Sequence, residues 1–265
     1  MLLGLGLATH SLAADLVRGA ALQGDLMVFK APPGAAVILD GAPQNLSDEG
    51  YFAVGFHRDD SAAVRLEITT ADGQTDQHIL TPQARSYDIQ RIDNLPTNMV
   101  TPPQKTLNRI RQDIADVKAA RAVFSRQEDA LVNGFDWPVW GRISGIYGSQ
   151  RILNGQPRQP HYGIDIAAPR GTPVLAPAAG RITLVRDLYF SGWTILMTHG
   201  LGLNSAFLHL DSVTVAEGDT VPRGGTIGTV GSTGRSTGPH LDWRLDWQGR
   251  RLDAALVRRQ LGGRD

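Results

Sequence analysis

Cysteine is absent from the 265 residues, which excludes disulfides and thiolate metal ligands and leaves an oxidising compartment open. Lys and Glu are nearly absent too: of 26 basic residues 3 are Lys, and of 26 acidic residues 4 are Glu. Those two residues populate helix surfaces, so helix should be scarce. The charges cancel, so no whole-molecule field draws the chain towards nucleic acid or an anionic membrane. The preference for Arg over Lys reads as base composition rather than as a binding device. What the chain has in quantity is turn residues, 30 Gly and 15 Pro, and a core-forming share of 42% hydrophobic residues. This combination predicts a mainly β protein of many short strands.

Met1 to Ala8 form a short apolar run, and Ser11-Leu12-Ala13 supplies a small-x-small pattern that a signal peptidase cuts after Ala13. The run is too short to span a bilayer, and no stop-transfer segment follows. Residues 1–13 are therefore expected to be a signal peptide, with the protein exported to the periplasm or cell envelope and no stable membrane insertion. Residues 14–100 carry alternating runs such as Val64-Arg65-Leu66-Glu67-Ile68-Thr69, separated by turns such as Pro32-Pro33-Gly34, the pattern of a small antiparallel β-sandwich. His57 and His78 stand alone among strand residues and read as structural.

Residues 101–133 predict a helical linker, with Thr101 as cap and Pro102 at the first position. Leu107, Ile110, Ile114, Val117, Phe124 and Leu131 form its apolar stripe, while Arg121 and Glu128 interrupt it and argue against a coiled coil. A spacer and a partner-binding helix both fit. Residues 134–265 hold all five Trp and four of the seven His, so chemistry is expected there.

Three segments stand out: His161-Tyr162-Gly163-Ile164-Asp165, Phe207-Leu208-His209-Leu210 and His240-Leu241-Asp242. His240 and Asp242 should leave the same face of a strand, with Leu241 and Trp243 on the other. His161 and Asp165 would lie about 13 Å apart on a straight strand, so they share an ion only if the chain bends, which Gly163 permits. Ser205, Phe207 and His209 are expected to share a face of a second strand.

Together with Tyr147-Gly148-Ser149, Ala167-Ala168-Pro169-Arg170-Gly171-Thr172-Pro173-Val174, His199-Gly200 and Ser232-Thr233-Gly234-Arg235-Ser236-Thr237-Gly238-Pro239, these segments resemble, in order and from about Trp137 to Leu256, the lysostaphin-type or LytM-like zinc metallopeptidases that cut peptide cross-links of peptidoglycan. The resemblance implies an antiparallel β domain with an open groove, zinc held by His161 and Asp165, and catalytic roles for His209 and His240. His199 falls in a turn common in the family without a catalytic role.

The chain departs from the family at the third ligand, where Asp242 stands in place of a His. Carboxylate oxygen is an acceptable zinc donor at about 2.0–2.2 Å. Two carboxylates and one imidazole would, however, neutralise a divalent ion, weaken it as a Lewis acid and admit manganese as the alternative ion. The leading expectation is an exported zinc endopeptidase acting on peptidoglycan. The alternatives are a catalytically weak LytM-like regulator of a cell-wall amidase and a peptidoglycan-binding module.

Overall fold

The computed structural model describes residues 13–95 and 101–260. Residues 1–12 of the expected signal peptide lie outside them. The N-terminal part contributes β1 (Asp15–Arg18), β2 (Leu26–Lys30), β3 (Ala36–Leu39), β4 (Ala42–Pro43), β5 (Tyr51–Gly55), β6 (Val64–Thr69) and β7 (Thr75–Leu80). They form two antiparallel sheets, ordered β1-β2-β5 and β4-β3-β6-β7. Alternation does what it should in β6, where Val64, Leu66 and Ile68 are buried and Arg65 is exposed. β8 (Ile89–Ile92), read from the sequence with this part, pairs in parallel with residues 150–153 of the following part.

The expected helix from 101 to 133 is broken. After a single 3₁₀ turn, α1 runs over Leu107–Arg121, and α2 covers only Asp129–Asn133. Thr101 caps neither, since Pro103 precedes the 3₁₀ turn and no side chain caps it. Tertiary pairing overrides the helical pattern: the amide of Leu201 donates to the carbonyl of Ser125 at 2.8 Å, which takes residues 122–128 out of the helix. Of the expected stripe, Ile114 and Phe124 are exposed, while Val117 packs with Ala120 against Leu184, Leu188, Leu196, Ala206 and Leu208. α1 therefore lies against the next sheet.

That sheet is built from β9 (Arg142–Gly145), β10 (Gln150–Leu153), β11 (Gln156–Pro157), β12 (Ile164–Ala167), β13 (Pro173–Leu175), β14 (Gly180–Leu188), β15 (Gly192–Gly200), β16 (Leu203–Val213), β17 (Thr220–Val221), β18 (Thr226–Val230), β19 (His240–Trp247) and β20 (Arg250–Leu252), with β10 and β11 joining β8 instead. Its main path is β17-β14-β15-β16-β19-β12-β9, with antiparallel pairing throughout. The mainly β class read from the composition is what the chain adopts. On β19, Leu241, Trp243 and Leu245 are fully buried on one face. Phe135 and Trp137 pack their rings on Trp243, each 6.1 Å away between centroids. Burial of side chains this size stabilises the fold by about 1.5–3 kcal/mol each and fixes β19 in place. Its opposite face carries the polar residues.

Candidate metal and catalytic site

β12 and β19 lie side by side with Asp165 directly opposite Asp242, so the two carboxylates issue from one spot on the sheet. The chain bends at Gly163 just before β12 and brings His161 back over Asp165, with Nε2 3.1 Å from Oδ1. One donor atom each from His161, Asp165 and Asp242 falls within 4.8 Å of the others, and all three residues are buried. Neither ring nitrogen of His161 makes a hydrogen bond, and neither does Asp165 Oδ1. Buried polar atoms nearly always have partners, so a set of orphaned nitrogen and oxygen donors facing one another fits a cation.

Gly145 and Gly163 make room for the two carboxylates. A Cβ on Gly145 would run into Asp165 Oδ2, and one on Gly163 into Asp242 Oδ1. Gly163 does not have a positive φ; its need for glycine is steric rather than conformational.

Asp242 is not a simple stand-in for imidazole. Arg244, two residues on and so on the same face, donates from Nε to Oδ1 at 3.0 Å and from its terminal nitrogen to Oδ2 at 2.6 Å. Burial pushes the Asp242 carboxyl up, but the Arg244 guanidinium and His161 outweigh it and hold the group far below the usual carboxylate range. Arg244 in turn is raised by Asp242 against the effect of its own burial. Arg151 donates to Asp165 Oδ2 at 3.2 Å. The sequence argument that two carboxylates would neutralise the ion omitted these guanidiniums. Each carboxylate arrives with a cation of its own. The signal for Arg244 was present in the alternation of β19, whereas Arg151 comes from β10 and only the fold brings it near.

His209 and His240 sit together, ring centroids 4.9 Å apart. His240 opens β19, and its Nε2 is 3.8 Å from Asp165 Oδ1. His209 does not continue the face of Ser205 and Phe207. Phe207 lies opposite Trp243 in the core, Leu208 lies opposite Asp242, and then β16 leaves β19 and takes up β18 from Leu210. At that handover His209 adopts φ +64, which breaks the alternation and puts the imidazole beside Leu208 on the site face. Both histidines use Nδ1 towards a backbone carbonyl, His209 to Thr233 at 2.7 Å and His240 to Gly238 at 2.8 Å. Nδ1 is thus the protonated nitrogen of the neutral ring and Nε2 the acceptor. Burial, aided by His240, pushes His209 down to about 4, so it is neutral at physiological pH. His199 lies apart from this group, fully engaged with the carbonyl of Ala179 at 2.9 Å and Ser205 Oγ at 2.8 Å.

Residues 159–254 match Peptidase family M23. Among curated proteins, the Peptidoglycan DD-endopeptidase ShyA of Vibrio cholerae is 34% identical over 155 residues, which are 57% of this chain and 36% of that protein. The DD-carboxypeptidase/endopeptidase Mpg of Neisseria meningitidis is 40% identical over 120 residues, 45% of this chain and 27% of that protein. The chain thus spans about a third of the length of these relatives. Among solved structures, the crystal structure of a protein assigned to peptidase M23 from Pseudomonas aeruginosa superposes with a TM-score of 0.70 at 30% identity, covering 89% of this chain and 94% of that one. A likeness that runs through almost the whole of both chains, with the M23 match over the strands that carry the site, places this protein in Peptidase family M23.

Proposed function

We propose that the protein is an exported, metal-dependent endopeptidase of the periplasm or cell envelope that cuts peptide bonds in peptidoglycan. The observation that carries this reading is the buried triad His161, Asp165 and Asp242, with orphaned donor atoms, beside two histidines whose Nε2 atoms are free of the backbone. The DD-endopeptidase names of the relatives point to bonds between D-residues. The apolar run before Ala13 supports export.

His161, Asp165 and Asp242 would hold one zinc ion, with manganese as the alternative suited to two oxygen donors. When bound, the ion would polarise the scissile carbonyl and make water acidic enough to attack at neutral pH. The chain's own residues do the rest. His209, kept neutral by burial, accepts a proton at Nε2. His209 then returns that proton to the leaving amine, and His240, its Nδ1–H held by Gly238, steadies the oxyanion only when its Nε2 is also protonated. Arg244 and Arg151 hold the two carboxylates in place and offset their charge, so the site keeps the electrophilic strength that two bare carboxylates would quench.

The test is digestion of purified peptidoglycan by the full chain with zinc, with manganese and with a chelator, reading fragments by mass spectrometry. Metal-dependent loss of cross-linked fragments is expected, and their masses name the bond. No cleavage by a folded protein under any metal overturns the reading and leaves the amidase regulator, for which the Asp242–Arg244 ion pair would then be a closed, metal-free site.

A further inference from the structure

His209 needs support from outside its own strand, because a residue other than Gly keeps a φ of +64 only where its surroundings over-determine it. That support comes from the turn joining β14 to β15. The amide of His209 donates to the carbonyl of Ser191, in the middle of this turn, at 2.9 Å. The imidazole depends on the same turn at one remove. Its Nδ1 donates to the carbonyl of Thr233, and residues 233–235 are fastened to the turn on both sides. The amide of Trp193 donates to Thr233 Oγ1 at 3.0 Å, and the amide of Arg235 donates to the carbonyl of Phe190 at 2.7 Å. The two segments lie too close for any side chain between them: a Cβ on Gly192 would fall 2.2 Å from Thr233 Oγ1, and one on Gly234 would fall 2.3 Å from the Gly192 nitrogen. A shift of the turn is therefore passed on to both the backbone and the ring of His209.

The other side of the turn is held by α1. Asp113 Oδ2 accepts from the amide of Tyr189, the first residue of the turn, at 2.8 Å. Four residues earlier on the helix, and so on the same face, Arg109 donates to the carbonyl of Asp187 at 2.9 Å. A carboxylate bonded to a backbone amide is among the stronger hydrogen bonds of a protein. The remaining attachments of α1 bypass the turn: Asp116 pairs with Arg186, and Val117 and Ala120 pack on β14 and its neighbours. Neither a spacer helix nor a partner-binding helix calls for an acid directed into a turn of its own chain.

We infer that Asp113 is a positioning residue for His209: from α1 it fixes the turn at Tyr189, and the turn, through Ser191 and residues 233–235, fixes the backbone and the ring of His209 on the site face. A charge held this way on one element sets the geometry of a side chain on another, and small misplacements of a reacting group are costly in rate. The consequence for turnover rests on the peptidase reading of the same site.

The experiment compares the zinc-loaded full chain with its Asp113→Ala, Asp113→Asn and Asp116→Ala variants. With a soluble cross-linked muropeptide dimer as substrate, Asp113→Ala should lower kcat by about tenfold or more and change KM by less than about threefold. Hydrogen exchange of the His209 amide should quicken by about tenfold, and the ¹⁵N shifts of its ring should move towards a mixture of tautomers. Bound zinc per chain should stay the same, since the metal-binding residues hang on β12 and β19. Asp113→Asn keeps an acceptor oxygen and should restore kcat to within about threefold of the natural chain. Asp116→Ala loosens α1 elsewhere and should leave kcat and the His209 signals unchanged. Natural kcat in Asp113→Ala, a fall in kcat without any change at His209, or an equal fall in Asp116→Ala overturns the inference. Should Asp113→Ala fail to fold, Asp113→Glu, which moves the acceptor by one methylene, takes its place with the same expectations. No hydrolysis by the natural chain would sink the peptidase reading, and the exchange and ring signals of His209 would still decide whether Asp113 positions it.

Discussion

Arg244 grips both oxygens of Asp242 from two positions further along the same strand, and the pair sits where a neutral imidazole would otherwise complete the metal-binding set. A carboxylate joined to a guanidinium is neutral as a unit, so the pair resembles imidazole in charge as well as in reach. Removing either partner leaves the other charge poorly solvated: the Asp242 side chain is 1% exposed and that of Arg244 27%. The Asp242→His variant, which restores the commoner ligand, should therefore bind zinc more weakly than the natural chain, because Arg244 then stands unpaired against the site. Its stability should fall by about 1–3 kcal/mol, below the full cost of a buried broken pair since Arg244 is partly hydrated. Adding Arg244→Met should recover affinity and stability together. Chelator competition and thermal melts on the three variants check this, and additive effects would refute it.

The glycines beside the carboxylates give a second expectation. Gly163→Ala puts a Cβ into Asp242 Oδ1 and the Trp243 carbonyl, and Gly145→Ala puts one into Asp165 Oδ2. Each should displace its carboxylate, abolish bound metal and cost about 1–3 kcal/mol. Gly238→Ala, which meets no atom within 4 Å and has no positive φ, is the control and should leave both unchanged. Metal content by mass spectrometry of the native protein and denaturant melts provide the readings.

His209 combines its proposed catalytic role with a strained backbone. Its φ of +64 lies where a side chain other than Gly is disfavoured by about 1 kcal/mol. His209→Ala and His209→Gly should each lower hydrolysis of peptidoglycan by about 100-fold or more. The Gly variant should nevertheless be the more stable of the two by about 1 kcal/mol. Equal melting temperatures for the two would mean that the left-handed turn at this residue is not retained.

Acid should weaken the fold through His199. Burial pushes this residue down from 6.5 to about 4. Between those values the unfolded chain holds a proton that the folded chain refuses, so stability is complete above pH 6.5, falls as the pH drops towards 4 and levels off below. The two and a half units correspond to about 3 kcal/mol. Denaturant melts at pH 7 and pH 4.5, compared with those of a His199→Gln variant, isolate this contribution: the variant should lose less on acidification by about that amount.

Much of the site was legible in the order of residues because strands impose a period of two. His240, Asp242 and Arg244 share a face, while Leu241, Trp243 and Leu245 take the other, whatever the neighbours are. The fold class followed from scarce helix formers and frequent turns for the same kind of local reason. Periodicity failed where another segment competed. The stripe from Leu107 to Leu131 reads as one helix, yet Ser125 is claimed by the amide of Leu201 and the helix stops. At His209 alternation failed because the strand changes partners there, which no local pattern records.

The sequence by itself determined the mainly β class, the faces of β19 and the residue types able to bind a cation, since these depend on local propensity and on spacing along one strand. Only the tertiary structure decided that Asp165 stands opposite Asp242, that His209 turns to meet His240, and that Lys118 and arginines scattered from Arg121 to Arg251 line one groove. Those relationships depend on register between strands distant in sequence, fixed by burial of the opposite face around Trp243 rather than by the polar residues themselves.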